Sequence, residues 1–355
     1  MAAVRDLLEL VRGPAVLSVP GDVVAGGSAA GTLGRRTPAL AAASVCLYWA
    51  GMAANDWADR HLDAVERPRR PIPSGRVSPG LALAAAAGLT GAGLAAAGLA
   101  AGRRGLAVAV PLAAAIWTYD LLAKDTPAGP AVMAACRALD VLLGACPAAG
   151  RPDSRDGTGF RGGTGFRAGT DSRGGTGFRG GTGFRAGTDL RDGTGFQGGT
   201  GAPPGGGPRA WPPPRTFAAA LPPALAVAAH TYMITSLSRR EVSGADRLLP
   251  TATLAATAAL AAGVAAAGRG RGAGRGPALQ AALASWYLAR FGSAQARAVA
   301  DPSAPRIRGA VGTGITVLPA LQGALAVRAG AVPAGLAVAV AAPLGRRLAR
   351  KVSPT

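Results

Sequence analysis

The chain has 355 residues, of which 49% are hydrophobic, 16% charged and 5% aromatic, with a net charge of +20. A soluble helical protein carries a charged outer face. Several runs of about twenty residues here carry none, which argues against a soluble alanine-rich bundle. So basic a chain suggests nucleic acid, but its arginines stand in short loops between apolar runs. That is where membrane proteins concentrate cytoplasmic charge, so no nucleic-acid partner is expected.

Charge-poor stretches long enough to cross a bilayer recur along the chain. The candidate spans are about 13–33, 37–54, 79–101, 105–122, 128–148, 216–236, 248–268, 278–297, 306–327 and 330–346. The expected fold is all-α: a polytopic bundle of about nine or ten transmembrane helices in the cell membrane, with the lipid bilayer as its surroundings. It divides into an N-terminal transmembrane half, 1–150, an insert, 151–214, and a C-terminal transmembrane half, 215–355. Cys46, Cys136 and Cys146 all fall inside apolar spans. They have no metal-ligand spacing and read as small packing residues.

The second span runs straight into Asn55-Asp56-Trp57-Ala58-Asp59-Arg60-His61-Leu62-Asp63 and then Arg67-Pro68-Arg69-Arg70-Pro71-Ile72-Pro73-Ser74-Gly75. Asp and Glu total 18 in the chain, and Asp56, Asp59, Asp63 and Glu66 are four of them. On a helix Asn55, Asp59 and Asp63 share one face, with Asp56 beside them. Carboxylates held so close repel unless a cation lies between them, and oxygen-only ligands suit Mg²⁺. Acids and arginines interleaved in one loop fit a metal–diphosphate substrate, each sign bound by its opposite. The plainer alternative is a solvated helix end whose acids pair with Arg60, Arg67 and Arg69.

The fourth span ends in Tyr119-Asp120-Leu121-Leu122-Ala123-Lys124-Asp125-Thr126-Pro127. Lys124 there either complements a helix end or meets an anion. In the next span Arg137 and Asp140 lie three apart, so they neutralise each other or line an acceptor side of a cavity. Residues 155–202 form hexads, RDGTGF, RGGTGF, RAGTDS and their repeats. Their glycine content and lack of apolar residues point to a disordered insert without catalytic importance. The sixth span is followed by Ser238-Arg239-Arg240-Glu241-Val242-Ser243-Gly244-Ala245-Asp246.

The Asn55–Gly75 segment resembles the first aspartate-rich motif of the UbiA superfamily of intramembrane prenyltransferases. Asn and two Asp spaced by four lead into an arginine–proline stretch that closes on Pro-Ser-Gly. The resemblance implies a helical bundle with a cavity open to lipid. It also implies Mg²⁺-dependent transfer of a polyprenyl group from its diphosphate to an acceptor that the sequence does not name. By the same resemblance Asn55, Asp56, Asp59 and Asp63 are metal ligands, and Asp59 and Asp63 are catalytic. Arg67, Arg70 and Tyr119 belong to the substrate site, and Lys124 would neutralise the departing diphosphate. The second aspartate-rich motif of the family is degenerate here: Ser238 and Ala245 replace acids, and Glu241 keeps one carboxylate and with it an expected catalytic role. Arg239 and Arg240 would then bind the diphosphate in place of a second cation. The alternative is a non-catalytic isoprenoid-binding or scaffold membrane protein in which the eroded loop marks lost chemistry.

Overall fold

The computed structural model describes residues 6, 10, 18–147, 214–266 and 275–340. All of these belong to one compact unit, Met1–Gly150 with Ala210–Thr355. The hexad repeat lies outside the described residues. Regular structure among the described residues is entirely helical, in agreement with the all-α expectation.

Helix α1 covers Pro20–Ala30, α2 Thr37–Ala58, the short α3 Arg60–Glu66, and α4 Pro79–Thr118. A π-helical turn, Tyr119–Ala123, closes α4. Then come α5 Gly129–Gly144, α6 Pro214–Ser238, α7 Leu248–Ala266, α8 Arg275–Ala300 and α9 Ala304–Arg328, with a further helix, α10, over 332–340. Ser78 starts α4 by accepting the Leu81 N–H at 3.2 Å, with Pro79 at the first helical position. Both are ordinary N-terminal signals.

α4 is two membrane-length arms rather than one rod. Its 40 residues would reach about 60 Å if straight, yet the Trp117 indole N–H donates to Thr90 Oγ1 at 3.1 Å. The chain folds back at Gly102, whose φ of 61° and ψ of −148° are open to glycine and strained for other residues. This matches the two spans expected at 79–101 and 105–122. The Arg36 guanidinium donates to Ala100 O at 2.9 Å, satisfying a carbonyl at the end of the first arm. Among the described residues five helices are long and apolar enough to cross a membrane, α4 with its terminal turn counted as one of them.

The arms of α4 pack along α2, α5 lies against α6 and α1, and α9 touches α8, α6 and α1. α1 and α5 approach almost backbone to backbone. A methyl at Gly26 would overlap the Val141 carbonyl, and one at Gly144 would overlap Val23. Small residues of this kind let membrane helices gain close packing where lipid removes the hydrophobic drive. One apolar cluster, around Leu47, Leu112 and Leu143, fills the N-terminal half. A second, around Tyr287, Phe291, Ile307 and Leu321, fills the C-terminal half and reaches α1 and α5 through Ala25 and Val141.

Candidate active site

A cavity of about 460 Å³ lies where α2, the end of α4 and α5 face α6 and α9. Asn55, Tyr119, Asp120, Ser238 and Glu241 line it, as do Ser18, Tyr48, Arg137, Thr231 and Thr235. The rest of its wall is largely apolar and includes Met52, Ile116, Ile234, Val311 and Ile315. Gly51 makes room for Asp120, since a methyl there would stand 2.8 Å from Asp120 Oδ2.

The aspartate-rich segment supplies the acids around Asn55. α2 ends at Ala58 and Asp59 bridges to α3, but the backbone bonds Asp59 N to Asn55 O (2.9 Å) and Asp63 N to Asp59 O (2.8 Å) keep the four-residue register. The side chains do not converge on one point. Asn55 Nδ2 donates to Asp59 Oδ2 at 3.2 Å, and Lys124 Nζ donates to Asn55 Oδ1 at 3.3 Å and pairs with Asp59. Asp56 and Asp63 turn instead to Arg70, whose Nη1 lies 3.1 and 2.7 Å from their oxygens. Arg67 stands 3.8 Å from Asp63 and is largely exposed.

Asn55, Asp56, Asp59 and Asp63, expected as one metal set, divide in the structure between Lys124 and Arg70. Among the described residues no group of three or more His, Cys, Asp or Glu side chains is arranged to hold a metal ion. The donor chemistry itself, carboxylate and amide oxygen at a cavity mouth, fits a hard divalent cation. The Asn55–Asp59 pair fits best, because Asn55 lines the cavity.

Lys124 reaches this pair from the turn after Tyr119–Ala123. That turn is gripped from the other half of the bundle. Arg239 Nη1 donates to Thr126 O, with Lys124 O at 3.5 Å, and Arg239 Nη2 lies 3.5 Å from Asp125 O. Arg240 is exposed. Ser238 donates to Thr235 O at 2.9 Å. Asp246 caps α7 by accepting the Leu249 N–H at 3.2 Å, so it serves a helix rather than the cavity. Burial pushes the Glu241 carboxyl above its ordinary pKa, against the opposing pull of Arg308. Arg308 also donates to the Glu241 carbonyl at 2.9 Å.

Deeper in the cavity, Arg137 belongs to a buried polar network of which sequence spacing shows only a part. Arg137 Nε meets Asp22 Oδ2 at 2.8 Å, and its guanidinium stands 5.6 Å from the Tyr48 ring centre. Gln322 Nε2 donates to Asp22 Oδ1 at 2.6 Å and to Ser18 O at 2.8 Å. Asp140, fully buried, accepts the Ser44 hydroxyl at 2.5 Å. Asp140 is not among the residues lining the cavity. Of the two residues expected on the acceptor side, Arg137 lines the cavity and Asp140 bonds Ser44 instead. Sequence reasoning misses Asp22 and Gln322, although an acid within a membrane-length apolar run is by itself a signal, because an unpaired charge there is costly.

Comparison with known proteins places these features. The model of the UbiA prenyltransferase family matches residues 19–156. A digeranylgeranylglyceryl phosphate synthase of Methanopyrus kandleri is 36% identical over 147 residues, which is 40% of this chain and 51% of that protein. The same-named protein of Methanothrix thermoacetophila is 56% identical over 48 residues, 13% of this chain and 18% of that protein. The bacteriochlorophyll synthase 33 kDa chain of Rhodobacter capsulatus is 72% identical over 29 residues, 8% and 9% of the two chains. The chain thus spans about half the length of the first of these and less of the others. The fold is shared with a UbiA homolog from Aeropyrum pernix K1, at a TM-score of 0.56 and 17% identity over 87% of this chain and 96% of that one. It is shared also with a solved structure of a digeranylgeranylglyceryl phosphate synthase, at a TM-score of 0.55 and 14% identity over 94% of this chain and all of the other.

Proposed function

This chain belongs to the UbiA superfamily, and from that premise we propose that it is an intramembrane prenyltransferase of the cell membrane, moving a polyprenyl group from its diphosphate to an acceptor. The observation that carries the reading is the mouth of the cavity. There an acid–amide pair, Asn55 and Asp59, is held against Lys124, and the walls below are largely apolar. A diphosphate ester has the same division, two anionic groups on a greasy chain.

In this reading Lys124 holds diphosphate oxygens as the carbon–oxygen bond breaks, a charge-assisted contact stronger than a neutral one. Arg67 and Arg70 add positive charge at the rim, and Tyr119 bounds the mouth. Mg²⁺, held by Asn55 and Asp59 with the neighbouring Asp56 and Asp63, would supply further positive charge to the leaving diphosphate. Met52, Ile116, Ile234 and Val311 keep water from the allylic cation, which water would otherwise capture. Ile315 is 46% exposed, and it carries the lining to the lipid-facing surface, where a long tail leaves the cavity. The acceptor lies on the polar wall of Tyr48, Arg137, Thr231 and Thr235. The relatives are named for a digeranylgeranylglyceryl phosphate and a bacteriochlorophyll, so the family alone does not choose it. Residues 151–214 stand as an insertion between the two catalytic halves.

The test is diphosphate release by the full chain in detergent with Mg²⁺ and radiolabelled geranylgeranyl diphosphate, across a broad acceptor panel. Release is expected, and Asp59→Ala should lower kcat on the order of 10²–10³-fold. Tight binding without release from any acceptor would replace this reading with that of an isoprenoid-binding scaffold.

A further inference from the structure

Arg239 occupies the degenerate second motif, where sequence reasoning assigns it to the diphosphate. In the structure its guanidinium is spent on the protein. It meets the carbonyl oxygens of Lys124, Asp125 and Thr126. These are the carbonyls that follow the π-helical turn Tyr119–Ala123, at a helix end that leaves acceptors without intrahelical partners. A cation there also answers the negative end of the helix dipole. A planar fork can reach several such oxygens together, whereas an ammonium acts as a point.

The other hydrogen bonds of this turn are local: Thr126 N and Oγ1 both donate to Ala123 O, at 2.9 and 2.8 Å, and Gly129 N donates to Thr126 O at 3.0 Å. Arg239 comes from 113 residues away along the chain. The same turn carries the Lys124 side chain, whose ammonium meets Asn55 and Asp59. A continuous path thus runs from α6 through the 124–126 backbone to α2. It follows the rim of the cavity, which Ser238 and Glu241 line on one side and Asn55 on the other.

We propose that Arg239 is a positioning residue: it clamps the 124–126 turn from the C-terminal half and so fixes the Lys124 ammonium at the Asn55–Asp59 pair. A lysine stem is flexible and loses rotamer freedom when ordered. Its ammonium is reproducibly placed only if the backbone beneath it is held. The inference rests on the prenyl-transfer reading for the role of Lys124, and the clamp itself is testable without activity.

Lys124 and Lys351 are the chain's two lysines, so labelling of the full chain with an amine-reactive ester, read by mass spectrometry, resolves Lys124 cleanly. Arg239→Gln should raise its labelling rate several-fold. Arg239→Lys, which keeps the charge without the fork, should behave like Arg239→Gln. Unchanged labelling in both variants overturns the clamp. Kinetically, Arg239→Gln should raise KM for geranylgeranyl diphosphate about tenfold, with a smaller fall in kcat. In a Lys124→Met background it should add nothing further. Losses that multiply in the double variant mean that Arg239 binds the diphosphate itself, and the proposal fails. Absence of diphosphate release by the unmodified chain sinks the prenyl-transfer reading instead, and the labelling result still decides the clamp.

Discussion

Asp56 and Asp63 are 5% and 2% exposed, and Arg70 Nη1 lies 3.1 and 2.7 Å from their carboxylate oxygens. Removing Arg70 takes the 2.7 Å charge-assisted contact from Asp63, an almost wholly buried carboxylate. Arg70→Gln should therefore destabilise the chain by about 3–5 kcal/mol, seen as a lower melting temperature in detergent. Arg67, 58% exposed and 3.8 Å from Asp63, is the contrast: Arg67→Gln should cost about 0–1 kcal/mol in the same measurement. Equal losses would show that Arg70 is not the hub of the loop. The Asn55–Asp59–Asp63 register was legible because four-residue spacing is a property of one helix. The division of those side chains between Lys124 and Arg70 was not. Lys124 lies 65 residues from Asp59, and no local pattern says which cation arrives. Arg239 illustrates the same limit: its charge was visible, its acceptors were not.

At the scale of elements, small residues decide how closely helices meet. Gly26→Leu would drive a side chain into the Val141 carbonyl, prising α1 from α5 and disturbing the Asp22–Arg137 contact between those helices. The expected result is loss of the folded, monodisperse species in detergent chromatography. Gly88, with nothing within 4 Å of an added methyl, should accept alanine with a gain of about 0.5–1 kcal/mol. Folded Gly26→Leu protein would show that the two helices can separate without penalty. Six of the ten expected spans fall on described helices long and apolar enough to cross a membrane, the arms of α4 counted separately, since a charge-free apolar run of bilayer length finds its favourable surroundings in lipid. The turn within α4 was legible from Arg103-Arg104 between two such runs.

Across the molecule, α9 is the central helix. Of its most apolar window 78% is buried inside the protein, against 28% for α7. It touches both α1 and α6, and so joins the halves whose meeting forms the cavity. The hexad segment enters between α5 and α6 in sequence. Deleting 155–202 should leave diphosphate release within about twofold of the parent chain, as tolerated loop changes do. A larger fall with the fold intact would give the repeat a role in catalysis.

By itself the sequence determined a helical membrane protein, the family to which its aspartate-rich segment belongs, and the turn from which Lys124 projects. These follow from local periodicity and from the cost of placing charge in lipid, which act on neighbouring residues. Only the tertiary structure decided which cation meets which acid, that Arg137 lines the cavity while Asp140 bonds Ser44, and that Arg239 grips the Lys124 turn. Such pairings join residues far apart in the chain, and they are selected by the packing of whole helices rather than by spacing.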